Sequence, residues 1–413
     1  MARAFETYAH SFQVFPKLGL ARISALLDAL GNPQENLTYL HVAGTNGKGS
    51  VSQALYAMLM KSGYKTGLYT SPNLVRLNER IAMDGAYISD SDLAKLIDQV
   101  ERAALTTKDM LGELPTPFEI WTATAFLYFA QNKCDYVVLE TGLGGMYDAT
   151  NIISKNKLTI LTHIDYDHTA QLGTTLTSIA EAKCGIMKAG TKVFSVPQYE
   201  EVEKVIYQKA KEFSAPVCFV SPQTPTKYDG FYEVIQHEVV GEVKLSLAGI
   251  HQIENMTLAI ECGLELGLTP AQIKAGIAHT VHPARMEMLK SHPPILYDGA
   301  HNPDGVSALV SSLSRYAPNV KWHLIFAAMV DKDIAPSLDI LRPYVSHITC
   351  TTVQNNPRAM SAEALCEKAK EAAIPASIAP TLRDALSPLP VTPTLICGSL
   401  YLYADLPEHL RSI

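Results

Sequence analysis

The sequence has no excess of positive charge, no metal-spaced cysteines and no long apolar run, and each absence excludes a class of protein. Lysine and arginine number 34 against 41 aspartates and glutamates, a net charge of −7. That balance argues against general binding to nucleic acid or to an anionic membrane, so an anionic substrate must be met by a local cluster of cations. The cysteines (Cys134, Cys184, Cys218, Cys262, Cys350, Cys366 and Cys397) are scattered and odd in number. Their mostly apolar neighbours suit reduced core thiols of a cytoplasmic protein. No run of about 18 apolar residues occurs, and Met1 to Glu6 lack the apolar stretch of a signal peptide. Nor is there an internal repeat or a low-complexity tract. A soluble, cytoplasmic protein without nucleic-acid or membrane partners is expected.

What is present is an ordinary globular composition, 47% apolar and 18% charged, in 413 residues. One core seldom grows to that size, so two domains are expected. The chain turns on Leu40-His41-Val42-Ala43-Gly44-Thr45-Asn46-Gly47-Lys48-Gly49-Ser50. It reads as a short buried strand, a glycine-rich turn with one lysine, and an amphipathic helix from Val51 to Met60. Such a junction lets backbone N–H groups converge where a helix N-terminus favours an anion, and Lys48 would meet outer phosphates as a mobile charge. The spacing departs from G-x-x-x-x-G-K-[ST], because Val42 replaces the first glycine and Gly49 intervenes before Ser50. A phosphate loop and a plain glycine-rich turn both remain open on these residues.

The rest reads as repeated βα units. Residues 1–37 look helical, and strands are expected over 65–70, 135–139, 158–161, 192–196 and 217–220. Ser89 and Thr116 are expected to cap helices over roughly 91–105 and from Pro117 to about Ala130. Apolar strands alternating with helices imply a mainly parallel sheet covered on both faces. Segments 231–235 and 243–247 alternate like a hairpin, and helices follow from 252 to 279. His282-Pro283 to Pro293-Pro294 reads as a junction. Beyond it strands near 295–298, 322–327, 346–351 and 393–397, with helices around 303–314, 361–371 and 399–411, form a smaller α/β domain. The expected division is therefore 1–282, a linker at 283–294, and 295–413.

Polar groups gather at the expected strand ends, where open α/β sheets place ligands. Glu140 ends one strand, and Asp165, Asp167 and His168 follow another. Hard oxygen donors beside phosphate point to Mg²⁺, with Ser71 as a further oxygen. A solvated strand end is the plainer alternative for Glu140, and a turn cap for His168. Lys183 lies in an amphipathic helix expected over 178–188, where a lone lysine ordinarily reaches solvent. Asp298-Gly299-Ala300-His301-Asn302-Pro303 joins a strand to a helix and is a candidate ligand loop. Arg285 is either a nucleotide contact or a linker salt bridge, and Asp331-Lys332-Asp333 equally suits a capped surface turn. Taken together these groups describe an ATP·Mg²⁺ cleft between two α/β domains.

Quoted in order, the motifs carry a family resemblance over nearly the whole chain. They are His41 to Ser50, Thr70-Ser71-Pro72, Asn78-Glu79-Arg80-Ile81, Phe118-Glu119, Glu140-Thr141-Gly142-Leu143-Gly144-Gly145 and Asp148-Ala149-Thr150-Asn151. Asp167-His168, Leu172-Gly173, Lys183-Cys184-Gly185-Ile186, Gly249 with His251-Gln252 and Asn255, Arg285-Met286-Glu287, Asp298 to Pro303 and Asp331-Lys332-Asp333 follow. The sequence closely resembles the folylpolyglutamate synthase/dihydrofolate synthase family of Mur-ligase-like, ATP-dependent amide-forming enzymes. The resemblance implies a P-loop-type, mainly parallel sheet domain and a smaller Rossmann-like C-terminal α/β domain.

It also implies roles. Gly44, Thr45, Asn46, Gly47, Lys48, Gly49 and Ser50 would cradle ATP, with Asn255, Arg285, Asp298 and His301 as further nucleotide contacts. Ser71 and Glu140 would hold one Mg²⁺, and His168 a second. Lys183 aligns with a carbamylated lysine, and Lys48, Lys183 and His168 form the expected catalytic set. Arg80, Thr116, Pro117, Phe118, Glu119, Asp148, Ala149 and Thr150 fall in the expected pteridine region. The implied substrates are a reduced folate or dihydropteroate and L-glutamate, joined through an acyl phosphate by a monomeric enzyme. The resemblance also allows K⁺ as a further cation. A Mur-type ligase for another carboxylate and an inactive folate- or nucleotide-binding descendant are the alternatives. Where the family usually has Arg, His, Glu and Gly, this sequence has Met146, Asn73, Ala182 and Ala284. These departures leave substrate form and chain-length preference open.

Overall fold

The computed structural model describes residues 19–411. The expected N-terminal helix is therefore seen only from Ala21 to Ala29, and residues 1–18 lie outside the described residues. By its internal contacts the chain divides into two compact units. One comprises residues up to Thr224 with Gln236–Val243 and Glu254–Thr280; the other comprises Pro225–Ile235, Lys244–Ile253 and the chain from Val281.

The first unit is built on β1 (Tyr39–Ala43), β2 (Thr66–Tyr69), β3 (Ile81–Met83), β4 (Ala86–Tyr87), β5 (Tyr136–Glu140), β6 (Leu158–Leu161), β7 (Val193–Ser195) and β8 (Val217–Phe219). They form one sheet in the order β4-β3-β2-β5-β1-β6-β7-β8. Only β3 and β4 run antiparallel to their neighbours. β1 is buried along its whole length and β6 likewise, as expected of parallel strands with both faces covered. Val42 pairs with Glu140 and Ala43 with Leu161, which aligns the ends of β1, β5 and β6.

Helices start where the sequence supplies caps. Thr116 and Glu119 form a reciprocal capping box with Pro117 at the first helical position, and the helix Pro117–Gln131 follows. Ser89 caps Asp90–Leu111 by accepting from the Asp92 N–H. That helix outruns the expected end near residue 105 because its buried stripe continues through Val100, Ala103, Ala104 and Thr107 to a stop at left-handed Gly112. The hairpin region gains a third strand: β9 (Pro225–Asp229), β10 (Tyr232–His237) and β11 (Gly241–Lys244) pair in the order β11-β10-β9.

The second unit carries β12 (Glu287–Ser291), β13 (Pro294–Tyr297), β14 (Trp322–Phe326), β15 (Val345–Cys350), β16 (Ala376–Ile378) and β17 (Thr394–Cys397), in the order β12-β13-β17-β14-β15-β16. Two expectations need correcting here. Residues 283–294 are not a bare linker, because β12 pairs antiparallel with β13. Prolines at both ends of the segment obscured the strand between them, where Pro is tolerated at edges and turns. Nor is 399–411 one α-helix: Leu400–Asp405 and Glu408–Leu410 are two 3₁₀ turns separated around Pro407. The core of this unit packs Leu296, Trp322, Leu324, Phe326, Ile348 and Leu395 against helices such as Pro303–Tyr316.

Candidate functional site

Four adjacent strands, β2, β5, β1 and β6, end together on one edge of the first sheet. Gly44 to Gly47, Ser71, Glu140, Asp148 and His168 lie at those ends or in the turns that follow, whereas Lys183, Asn255 and Thr116 to Glu119 come from helices or their starts. At the end of β1, Gly44 presses against the turn after β6. A Cβ on Gly44 would stand 1.9 Å from Thr162 Oγ1, and one on Gly47 would stand 2.3 Å from Asn255 Oδ1. Thr45 N–H donates to the His163 carbonyl at 2.8 Å, and Thr45 Oγ1 donates to the Asp165 carbonyl at 2.8 Å. The loop is thus laced to the β6 turn from both backbone and side chain. Gly47, at φ 90°, opens the helix Lys48–Lys61 with no side-chain cap. A helix start of this kind presents N–H groups and the positive end of its dipole to an anion.

Two lysines converge on one oxygen. Lys48 Nζ donates to the Gly44 carbonyl at 3.1 Å and to that of Thr45 at 3.1 Å, while Lys183 Nζ donates to the Gly44 carbonyl at 2.7 Å. Lys183 does not reach solvent; it is 4% exposed in the helix Leu176–Cys184. Burial first, and the Lys48 charge second, bring its pKa from 10.5 down to about 7. Its helix approaches closely because Gly145 has no side chain: a Cβ there would lie 2.7 Å from the Lys183 carbonyl.

Ser71 and Glu140 meet at the ends of β2 and β5. The Ser71 N–H donates to Glu140 Oε2 at 3.3 Å, and Glu140 is 4% exposed rather than a solvated strand end. Ser71 precedes a cis proline, Pro72. His168 takes a left-handed conformation (φ 50°) at the start of the short helix Thr169–Leu172, its ring 3.8 Å from Asp167 and largely exposed. Asp165 is held below the usual carboxylate range chiefly by the His163 ring, 3.8 Å away.

The expected substrate residues fall into two groups. Asp148 is buried and accepts from the N–H groups of Gly142 (3.0 Å), Leu143 (2.8 Å) and Thr150 (3.0 Å), so its carboxylate shapes the glycine turn after β5. Burial nevertheless pushes its pKa up. Thr150 Oγ1 donates to Asp148 and bonds to His41 Nε2 at 2.9 Å. Glu119 accepts from Thr116 N–H and from Arg22 Nε at 3.0 Å. Arg80 instead lies with its guanidinium 5.7 Å from the Trp121 ring and donates to Asn73 Oδ1 at 2.9 Å. Phe118 packs 6.0 Å from Tyr69 and against Gly142. Nothing in the sequence ties Arg22, Trp121 or Thr162 to these groups, since single residues far apart carry no spacing signal, and Asn73 stands out there only as a departure from the family.

In the second unit Asp298 directly follows β13. Its Oδ2 accepts from Met286 N–H and its Oδ1 from Ala300 N–H, both at 2.8 Å. Arg285 lies between two non-glycine residues at positive φ, Ala284 (61°) and Met286 (43°). His301 Nδ1 bonds to the Gly299 carbonyl at 2.9 Å, and Asn302 caps the helix Pro303–Tyr316 through the Gly305 N–H. Asn255 belongs to the first unit, where it backs Gly47.

The fold is that of the Mur-ligase class. The Mur ligase middle domain matches residues 42–263, and the Mur ligase glutamate ligase domain matches residues 284–389. Within that class, folylpolyglutamate synthase of Lacticaseibacillus casei is 35% identical, the match covering 98% of this chain and 97% of its own. Dihydrofolate synthase/folylpolyglutamate synthase of Bacillus subtilis is 35% identical over 76% of each chain. The structure of Mycobacterium tuberculosis folylpolyglutamate synthase complexed with ADP superposes with a TM-score of 0.90 at 29% identity, over 98% of this chain and 96% of that one. The chain belongs to the folylpolyglutamate synthase/dihydrofolate synthase family and is an ATP-dependent acid–amino-acid ligase. Among the described residues no helix is long and apolar enough to cross a membrane.

Proposed function

We propose that this chain joins L-glutamate to the carboxylate of a reduced folate, of dihydropteroate, or of both, acting as a monomer and using ATP. A carboxylate resists attack by an amine. Transfer of the γ-phosphoryl group to a carboxylate oxygen gives an acyl phosphate; the glutamate nitrogen then attacks the acyl carbon and phosphate leaves with the bridging oxygen. The observation that carries the reading is the convergence of Lys48 and Lys183 on the Gly44 carbonyl, at the mouth of an uncapped helix.

The residues divide the work. Gly44 to Ser50 offer backbone N–H groups to the phosphates, and Lys48 leaves its own loop carbonyls to neutralise the transferring phosphoryl. Hard oxygens of Ser71 and Glu140, residues already joined by the Ser71 N–H bond to the Glu140 carboxylate, suit one Mg²⁺, and exposed His168 suits a second. These residues would hold Mg²⁺ where it would draw charge from the phosphoryl oxygens. Lys183, with a pKa of about 7, has substantial neutral amine at neutral pH. That amine attacks CO₂, forming an N–C bond and losing one proton. The carbamate keeps an N–H for the Gly44 carbonyl and replaces a cation beside Lys48 with an anion. Arg285, Asp298 and His301 are assigned to the nucleotide together with Asn255. Arg80 and Phe118 are assigned to the pteridine end. Thr116, Pro117, Glu119, Asp148, Ala149 and Thr150 serve that region by fixing its turns, since the polar side chains among them are engaged with backbone N–H groups or with one another, Arg22 and His41.

Phosphate release from ATP, measured with L-glutamate and either dihydropteroate, tetrahydrofolate or a UDP-muramoyl precursor, tests the reading. Turnover with one or both pterins is expected, and which one separates single from dual function. Turnover with the muramoyl acceptor alone, or with none, would overturn it.

A further inference from the structure

The backbone around Arg285 is held in a conformation it would not keep unaided. Left-handed φ angles at Ala284 (61°) and Met286 (43°) flank the arginine. For a residue with a Cβ this region is unfavourable, and such outliers persist only where surrounding contacts over-determine them. Both residues are buried, at 0% and 1% exposure, so the contacts can be named. Asp298 Oδ2 accepts from the Met286 N–H at 2.8 Å. Glu287 Oε2 accepts from the Ala284 N–H at 2.7 Å, and its Oε1 accepts from Tyr403 OH at 3.0 Å. The Gly299 N–H closes the other side by donating to the Ala284 carbonyl at 2.8 Å. Arg285 Nη1 donates to that same carbonyl at 3.2 Å and lies 2.3 Å from where a Gly299 Cβ would stand.

Tyr403 is itself fixed. It is fully buried and packs edge-on against Tyr297 at 5.1 Å. Tyr297 is the β13 residue registered opposite Glu287 on β12, and its hydroxyl donates to the Ser399 carbonyl at 2.7 Å. A chain of contacts thus runs from the 3₁₀ turn after β17 through Tyr403 and Glu287 to the peptide preceding Arg285.

We infer that Glu287, fixed by Tyr403, is a positioning residue for Arg285: it locks the left-handed turn that aims the guanidinium at the nucleotide. The inference rests on the nucleotide role proposed for Arg285. Without the Glu287 carboxylate, the buried Ala284 N–H loses its acceptor and Ala284 relaxes toward negative φ, swinging the arginine away.

Steady-state kinetics of the full-length enzyme test this. Glu287→Ala is expected to raise KM for ATP about tenfold, by misplacing a binding group, with kcat and KM for glutamate little changed. Glu287→Gln, whose amide oxygen still accepts from Ala284, is expected to restore KM to near the wild-type value. Tyr403→Phe, which leaves the carboxylate in place but loosens it, is expected to raise KM about threefold. In an Arg285→Ala background, Glu287→Ala is expected to add nothing. A wild-type KM for ATP in Glu287→Ala and Tyr403→Phe, or a full further loss on top of Arg285→Ala, would overturn the inference. Should Glu287→Ala not fold, an unchanged KM in Tyr403→Phe would do so alone. A wild-type KM in Arg285→Ala would identify the nucleotide role of Arg285 as the failure, and the inference would fall with it.

Discussion

At the end of β1 the chain turns through glycines and opens a helix that no side chain caps. At the end of β13 it turns beside left-handed residues that are not glycine, and Asn302 closes the helix that follows. Both are strand–loop–helix junctions of parallel sheets, yet they are built differently. The first depends on the absence of side chains: Gly44 and Gly47 lie where a Cβ would collide with Thr162 and Asn255. Positive charge then comes from Lys48, which shares the Gly44 carbonyl with the buried Lys183. The second depends on side chains, with Asp298 and Glu287 accepting from the two strained peptides beside Arg285. On the roles proposed for them, a turn receptive to phosphate is made by removing atoms, whereas aiming one arginine takes carboxylates that hold the backbone.

The sharpest way to break the comparison is at Lys183. Lys183→Ala is expected to lower phosphate release at least about 100-fold, the scale of losing a charged group that stabilises the transition state. Added formate or acetate should restore part of it; near wild-type activity, or a loss that no small carboxylate relieves, would refute the carbamate. The same side chain makes a stability prediction measured without CO₂. Its folded pKa lies near 7, against 10.5 for the ordinary group. Between those values the unfolded chain binds more protons, so stability rises with pH across the window and is lowest below pH 7. Lys183→Met should flatten that rise in melting curves recorded between pH 6 and 10; an unchanged slope would place the titration elsewhere.

Gly44→Ala comes next. A Cβ there would lie 1.9 Å from Thr162 Oγ1 and 3.2 Å from that residue's backbone carbon. Forced overpacking of this kind costs about 1–3 kcal/mol, and the displaced carbonyl is the one both lysines use. Denaturant melts and nucleotide titration should therefore fall together. Asp148→Asn is expected to cost about 2 kcal/mol, because a buried carboxylate collecting several N–H donors is replaced by a group with one acceptor oxygen. The smallest effect is expected at Ala284→Gly. Relief of the left-handed strain should stabilise the chain by about 0.5–1 kcal/mol, a small rise in melting temperature. A loss of stability would show that Ala284 is not strained.

The same contrast explains what the sequence made legible. Gly44 to Ser50 stand in one stretch, so the loop, its strand and its helix could be read together, and the polar residues at strand ends followed from the parallel βα rhythm. Caps such as Thr116 were also visible, because a capping box is local. What escaped depends on long-range pairing. Nothing near Arg22 in the chain announces Glu119, 97 residues away, and nothing near Glu287 announces Tyr403. β12 was hidden because its flanking prolines spelled a linker. Lys183 was the hardest residue to judge from its neighbours, which equally suit a solvent-reaching lysine; only the approach of its helix at Gly145 shows that it is buried. The usual glycine before Arg285 was noted as missing, and the positive φ of Ala284 now gives the physical reason a glycine suits that position.

The most direct test of the account uses an acceptor pterin whose terminal carboxylate carries ¹⁸O, with ATP, Mg²⁺ and L-glutamate. With both oxygens of that carboxylate labelled, if it attacks the γ-phosphoryl and the glutamate amine then displaces phosphate from the acyl carbon, the first glutamate added must send one ¹⁸O into the phosphate released. Phosphate free of the label while amide accumulates would contradict the account.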